Sequence, residues 1–242
     1  MKWAELAIVL VLLAATSGCT TAVPAMVGGS TTPKNRTDIG IGGAARVPLG
    51  DLKDPAMTDP GESGYREAAD AGGVVPMAYG RYGLSKTWDL GLMVAGTTVR
   101  ADARHETLLQ DGSTRSSLVV GIAPYGGWIT DRDGSGSGGR VGLEVPFTFG
   151  VDIGGVYELW IGARGSGEYV FGDFRISGSD ARASGAGLRI GPVIGMALGV
   201  PRFHALVELT AAYEHWFIDQ AGVSLDRGGF ALIPAFGLRL RL

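Results

Sequence analysis

The chain has 242 residues, of which 45% are hydrophobic and 19% charged, and its formal net charge is −3. This composition excludes a disordered chain and gives no sign of the basic surface that nucleic acids require. Glycine accounts for 41 residues. Since a glycine inside a helix costs about 1 kcal/mol relative to alanine, an all-helical fold is excluded as well. The single cysteine, Cys19, rules out a disulfide framework and a cysteine-rich zinc site.

The first residues have the pattern of an export signal. Lys2 gives a short positive region, and a mainly apolar run follows from Leu6 to Ala15. Such a run is too short for a transmembrane helix, which needs about 20 residues, and has the length found in signal peptides. We therefore assign residues 1–18 to a signal peptide.

The next residues predict a lipid anchor and a linker. Thr16-Ser17-Gly18-Cys19 resembles the lipobox of bacterial lipoproteins, although threonine stands where leucine is usual. The resemblance implies that Cys19 is acylated and becomes the N-terminus of the mature protein. Ordinary cleavage after residues 23–25, which would remove Cys19, is the alternative. Residues 19–37 are mostly small and polar and predict a flexible periplasmic tether.

From residue 38 onward, apolar and polar residues alternate as they do along half-buried β-strands. In residues 139–152, for example, every second residue from Val141 to Val151 is apolar. The alternation predicts ten strands, at residues 38–48, 74–84, 88–96, 99–109, 115–128, 139–152, 156–170, 184–199, 203–217 and 228–242. We expect an all-β fold, a closed antiparallel transmembrane barrel of about ten strands, within a range of eight to twelve, over residues 38–242.

The polar face of the predicted strands carries all of their acidic residues and arginines. Lysine occurs only at positions 2, 34, 53 and 86, outside the strands. A face in contact with water would carry lysine too, whereas a glycine-rich face with balanced charges suits the crowded interior of a narrow barrel. The predicted luminal charges are Arg46, Arg81, Arg100, Asp102, Arg104, Glu106, Glu144, Glu158, Arg164, Glu168, Arg189, Glu208, Glu214 and Arg239. They predict either a salt-bridged core or a narrow polar pore.

The lengths of the connections indicate an orientation. They are long at residues 49–73, 129–138, 171–183 and 218–227, and short at most of the others. Outer-membrane barrels have long extracellular loops and short periplasmic turns. Both termini of an even-stranded barrel then lie in the periplasm, and residues 49–73 and 171–183 are candidate contacts for a surface ligand.

Two segments resemble a known class of protein. Residues 80–92, GRYGLSKTWDLGL, resemble the strand–turn–strand repeat of small bacterial outer-membrane β-barrels. Gly237, Leu240 and Leu242 are similar to the C-terminal signal that the barrel-assembly machinery reads, with leucine in place of the usual terminal phenylalanine. The resemblance implies the outer membrane of a Gram-negative bacterium, with its lipids and assembly machinery as partners. It implies no particular activity.

The sequence offers no convincing catalytic constellation. His105 and His215 are predicted to face lipid, whereas His204 is predicted to face inward near the periplasmic end. We therefore assign no catalytic, cofactor-binding or metal-binding residue and expect no cofactor. A structural, surface-interaction or narrow-pore role is favoured. The alternatives are a membrane-embedded hydrolase, which needs an inward Ser/His/Asp cluster, and a lipid-anchored soluble barrel that holds an apolar ligand.

Overall fold

The computed structural model describes residues 23–26, 28–52, 73–130, 137–176, 179–220 and 222–242. The predicted signal peptide and Cys19 lie outside these residues. The strands are β1 (Thr37–Leu49), β2 (Gly73–Gly83), β3 (Trp88–Ala95), β4 (Thr98–Gln110), β5 (Thr114–Thr130), β6 (Ser137–Ile153), β7 (Tyr157–Ile176), β8 (Ser179–Val200), β9 (Phe203–Gln220) and β10 (Val223–Arg241). A 3₁₀ turn, Gly50–Leu52, follows β1. No helix among the described residues is long and apolar enough to cross a membrane.

The ten strands form one closed barrel. Each strand pairs with the next in antiparallel fashion, and β10 pairs with β1 to complete the ring. The closure is tight at the chain termini, where Asp38 lies opposite Arg241 on one side and Arg81 on the other. The predicted fold, a closed antiparallel barrel of ten strands, is confirmed. We call the end that holds Thr37 and Leu242 the terminal end, and the opposite end the loop end.

The barrel wall is much taller on one side than on the other. β7 and β8 have 20 and 22 residues, whereas β3 has 8. The predicted connection over residues 171–183 is therefore wrong, because β7 continues to Ile176 and β8 starts at Ser179. The connection predicted at 218–227 is likewise shortened by the extension of β9 and β10. Small polar residues suggested turns there, but cross-strand hydrogen bonds to the neighbouring strands keep the backbone extended.

The apolar face of the strands is the outer face. On β6, Val145 is 48% exposed while Thr148 is 1% exposed. Other strands follow the same rule, with outward Ile161 on β7 and Ile194 on β8 at 57% and 55% exposure. The soluble alternative requires the opposite arrangement, with the apolar face inside, and the structure contradicts it.

The residues before β1 lie inside the barrel. Pro33 to Arg36 form a turn that is hydrogen-bonded to Gly83 at the terminal end, with Asn35 in the left-handed conformation that asparagine tolerates. From this turn the preceding residues run into the interior, where most of them are buried. Residues 23–26 and 28–33, which we call the plug, therefore have fixed partners in the lumen and do not form the flexible tether predicted over residues 19–37.

Candidate functional site in the barrel interior

All of the charges predicted to line the lumen lie on the inner wall. Arg189 is half-buried and the others are buried. Removing so many charges from water is costly unless each of them finds a partner. The role of the luminal charges therefore depends on which of them pair with one another.

At the terminal end, the charges of β2, β3 and β4 form one cluster. Arg81 lies 3.1 Å from Asp89 and 2.6 Å from Asp102, and Arg104 lies 2.5 Å from the other oxygen of Asp89. On the far side of the lumen, Arg239 binds Glu158 at 2.8 Å. Since arginine and carboxylate groups here meet at hydrogen-bond distance, the cluster holds neighbouring strands together instead of lining open water.

A second chain of ion pairs crosses the middle and the loop end. Arg189 contacts Glu168 at 2.6 Å and Glu214 at 3.1 Å, and Glu214 also binds Arg46 at 2.7 Å. Because Glu214 is on β9 and Arg46 is on β1, this ion pair bridges the inner face of β10, the strand between them. Apart from Glu208, the predicted luminal charges are thus paired with charges of opposite sign.

The plug is bound through its main chain. Four of its N–H groups donate to carboxylates of the wall, namely Met26 to Glu208 at 2.9 Å, Gly29 to Glu158 at 2.6 Å, Thr31 to Glu106 at 3.1 Å and Thr32 to Asp89 at 2.7 Å. Three of its carbonyl oxygens accept from arginines, namely Val23 from Arg164 at 2.7 Å, Ala25 from Arg100 at 3.0 Å and Ser30 from Arg104 at 3.1 Å. The wall charges therefore satisfy the peptide groups that the plug brings into the interior.

The plug also packs closely against the barrel wall. The Cβ of a side chain at Gly29 would lie 2.6 Å from the Cα of Gly150 on β6. That contact joins two backbones, so neither partner can move aside. Val23 and Met26 pack into an apolar cluster with Met77, Met93 and Trp160 in the middle of the lumen.

The loop end of the lumen is closed by apolar residues. Leu52 of the 3₁₀ turn is 4% exposed and lies in a cluster with Trp216, Ile218, Val170 and Ile129. Arg227 donates a hydrogen bond to the carbonyl of Asp51 and so ties this turn to β10. Among the described residues, the interior is thus occupied from the terminal end by the plug and covered at the loop end by Leu52.

The three histidines occupy separate positions. His105 packs on Trp88 at 4.8 Å between ring centroids on the outer wall. His215, also on the outer wall, lies 2.6 Å from Asp226. His204 is buried at the terminal end, where its ring contacts the carbonyl of Gly155 at 2.9 Å.

Neither the plug nor the loop-end cluster is predicted from the sequence. The plug residues are small and polar, as in a linker, and their binding partners are spread over β3 to β9. Glu208 is the residue that could have indicated the plug. It lies on the inner face but has no arginine or lysine within salt-bridge distance among the described residues. Such a carboxylate requires another donor, and Met26 supplies it.

These features define the class of protein. The barrel has no open strand edge, its outer wall is apolar, and its interior holds the charges. In lipid, only helices and closed barrels satisfy every backbone hydrogen bond, and the closed barrel is the form found in bacterial outer membranes. The chain therefore has the fold of an outer-membrane β-barrel, which is the fold that the predicted localisation requires.

Comparison with known proteins gives similarity of fold. No family model matches the chain, and no curated protein matches it in sequence. The outer membrane protease OmpT of Escherichia coli is 10% identical with a TM-score of 0.45, over 88% of this chain and 98% of that one. Ail, the attachment invasion locus protein of Yersinia pestis, is 13% identical with a TM-score of 0.39, over 86% and 99% of the two chains. Neisserial surface protein A is 14% identical with a TM-score of 0.33, over 85% and 95%.

Proposed function

We propose that this chain is a closed outer-membrane barrel with a structural or surface-interaction role, and that it does not conduct solutes in its plugged form. The observation that carries the proposal is the filled lumen. Charges on the inner wall bind one another, the plug occupies the terminal half, and Leu52 covers the loop end.

Planar bilayer recording tests the proposal. We expect the purified full chain to show no large, stable conductance, because the plug and the paired charges occupy the lumen. A variant that lacks residues 23–33 is the matched control and should pass more current. A large, stable conductance of the full chain would contradict the proposal.

We place the contacts with a surface ligand at the loop end. The tall walls of β7 and β8 support this proposal, since they extend well beyond the short strands β2 to β4. Of the two predicted ligand-binding loops, most of 49–73 lies outside the described residues, whereas residues 171–176 and 179–183 belong to β7 and β8. Outer-membrane lipids along the apolar wall and the assembly machinery at the last strand remain the other proposed partners.

A hydrolase is not proposed. Within the described part of the chain, His204 is the inward histidine, and it lies at the terminal end beside Gly155. The His215–Asp226 pair is on the outer wall, and the nearby hydroxyl of Ser224 is bound to Asp219.

We also propose that Cys19 is acylated, which labelled palmitate would test. Label is expected in the wild type and not in Cys19→Ala, and equal labelling of both would contradict the proposal.

A further inference from the structure

We propose that the interior of this barrel is a binding site for a short peptide, and that the plug is the peptide that the chain supplies to itself. The site goes beyond the closed-barrel role, because it assigns a ligand class to the luminal charges. The ligand is a short segment of mostly small residues that bends at Gly29 and Ser30 and is recognised mainly through its main chain.

The barrel wall recognises the main-chain groups of the plug. Carboxylates accept from N–H groups of the plug, and arginines donate to its carbonyl oxygens. Ser117 adds a hydrogen bond of 2.9 Å to the carbonyl of Gly29. Other peptides that adopt the same conformation offer the same N–H and C=O groups. The wall therefore does not depend on the side chains of the plug for most of its polar contacts.

Glu208 has the contacts expected of a group that binds a peptide. Its side chain is buried at 4% exposure and accepts hydrogen bonds from the N–H of Met26 at 2.9 Å and the indole of Trp160 at 3.2 Å. The other wall carboxylates that bind the plug also contact an arginine. Glu208 contacts no arginine or lysine within the described residues. A buried carboxylate without an ion pair is costly unless hydrogen bonds satisfy it, so this one fits a lumen that holds a peptide.

The shape of the site selects among peptides. Gly29 passes Gly150 with no room for a Cβ on either residue. Ser30, by contrast, is half-buried, and its hydroxyl makes only a 3.3 Å contact to Glu158. A peptide for this site therefore needs glycine at the position of Gly29 and tolerates a change at Ser30.

Binding in trans tests the proposal. The variant lacking residues 23–33 is folded in detergent micelles, and a fluorescent synthetic peptide of the sequence 23–33 is added. We expect saturable binding by fluorescence anisotropy. The peptide with Gly29→Ala should bind about tenfold more weakly or worse, equivalent to about 1.4 kcal/mol, whereas the peptide with Ser30→Ala should bind within about twofold of the original. Glu208→Leu in the barrel should weaken all three peptides.

Different results would overturn the peptide-binding proposal and the closed-barrel function. If a barrel that keeps its heat-modifiable mobility fails to bind the peptide, or binds the Gly29→Ala peptide equally well, the proposal is wrong. A large current through the full chain would overturn the closed-barrel function and leave peptide binding intact. Failure of peptide binding would leave the closed-barrel function to be decided by that current.

A second measurement in the full chain covers the case in which the shortened barrel does not fold. Ala25 is fully buried, so Ala25→Cys, in a Cys19→Ala background, should resist a water-soluble maleimide. Gly150→Leu places a side chain where Gly29 lies and should expel the plug, which would make the cysteine at position 25 react at least about tenfold faster. Rapid reaction without Gly150→Leu would show that the plug does not occupy the lumen.

Discussion

Glu214→Ala should lower the free energy of unfolding by about 3–5 kcal/mol, the cost of breaking a buried ion pair by removing one partner. Glu214 is fully buried and binds both Arg46 and Arg189. Its loss leaves Arg46 without a carboxylate partner among the described residues. Urea unfolding in lipid vesicles, followed by tryptophan fluorescence, measures the change.

Asp219→Ala is the matched control for this experiment. Asp219 lies on the same strand as Glu214 but on the exposed outer face near the loop end, so its loss should change stability by no more than about 0.5 kcal/mol. Adding Arg46→Ala to Glu214→Ala should cost less than the sum of the two single changes, since the two residues share one interaction. If Glu214→Ala is as stable as Asp219→Ala, the luminal ion pairs do not stabilise the barrel.

The sequence predicts the barrel well because its wall follows a local rule. Alternation places Val145 outside and Thr148 inside, and each strand carries that information in its own residues. Closure of ten strands follows, since an open sheet would leave unsatisfied edges in lipid. The strand ends at the loop end were less predictable. Residues 171–183 are predicted as a loop because, once a strand leaves the membrane, both of its faces can be polar.

The interior was predictable only in part. Charge balance among arginines and acidic residues predicts pairing, but not which groups meet. Arg46 and Glu214 are 168 positions apart in sequence, and barrel closure alone brings them together. The plug has no periodicity of its own, and its conformation is set by wall residues from several strands. The tether prediction is wrong because the conformation of these residues depends on residues elsewhere in the chain.

Val145→Arg should destabilise the membrane-inserted barrel by about 2–4 kcal/mol, because it places a cation near the bilayer midplane. Val145 is the central residue of β6 and is exposed on the apolar outer wall. The free energy of folding into lipid vesicles, from urea titrations of both variants and the wild type, measures the effect.

Ile153→Arg is the matched control, since Ile153 lies on the same outer face at the terminal end of β6 and is equally exposed at 48%. An arginine at the membrane interface costs only about 0–1 kcal/mol. The two substitutions differ mainly in depth, so a membrane-spanning wall makes Val145→Arg clearly the more harmful. If the outer wall were in contact with water, the two substitutions at these exposed positions would destabilise the barrel to a similar extent. Equal costs would therefore place the apolar wall outside the bilayer and remove the basis for the proposed function.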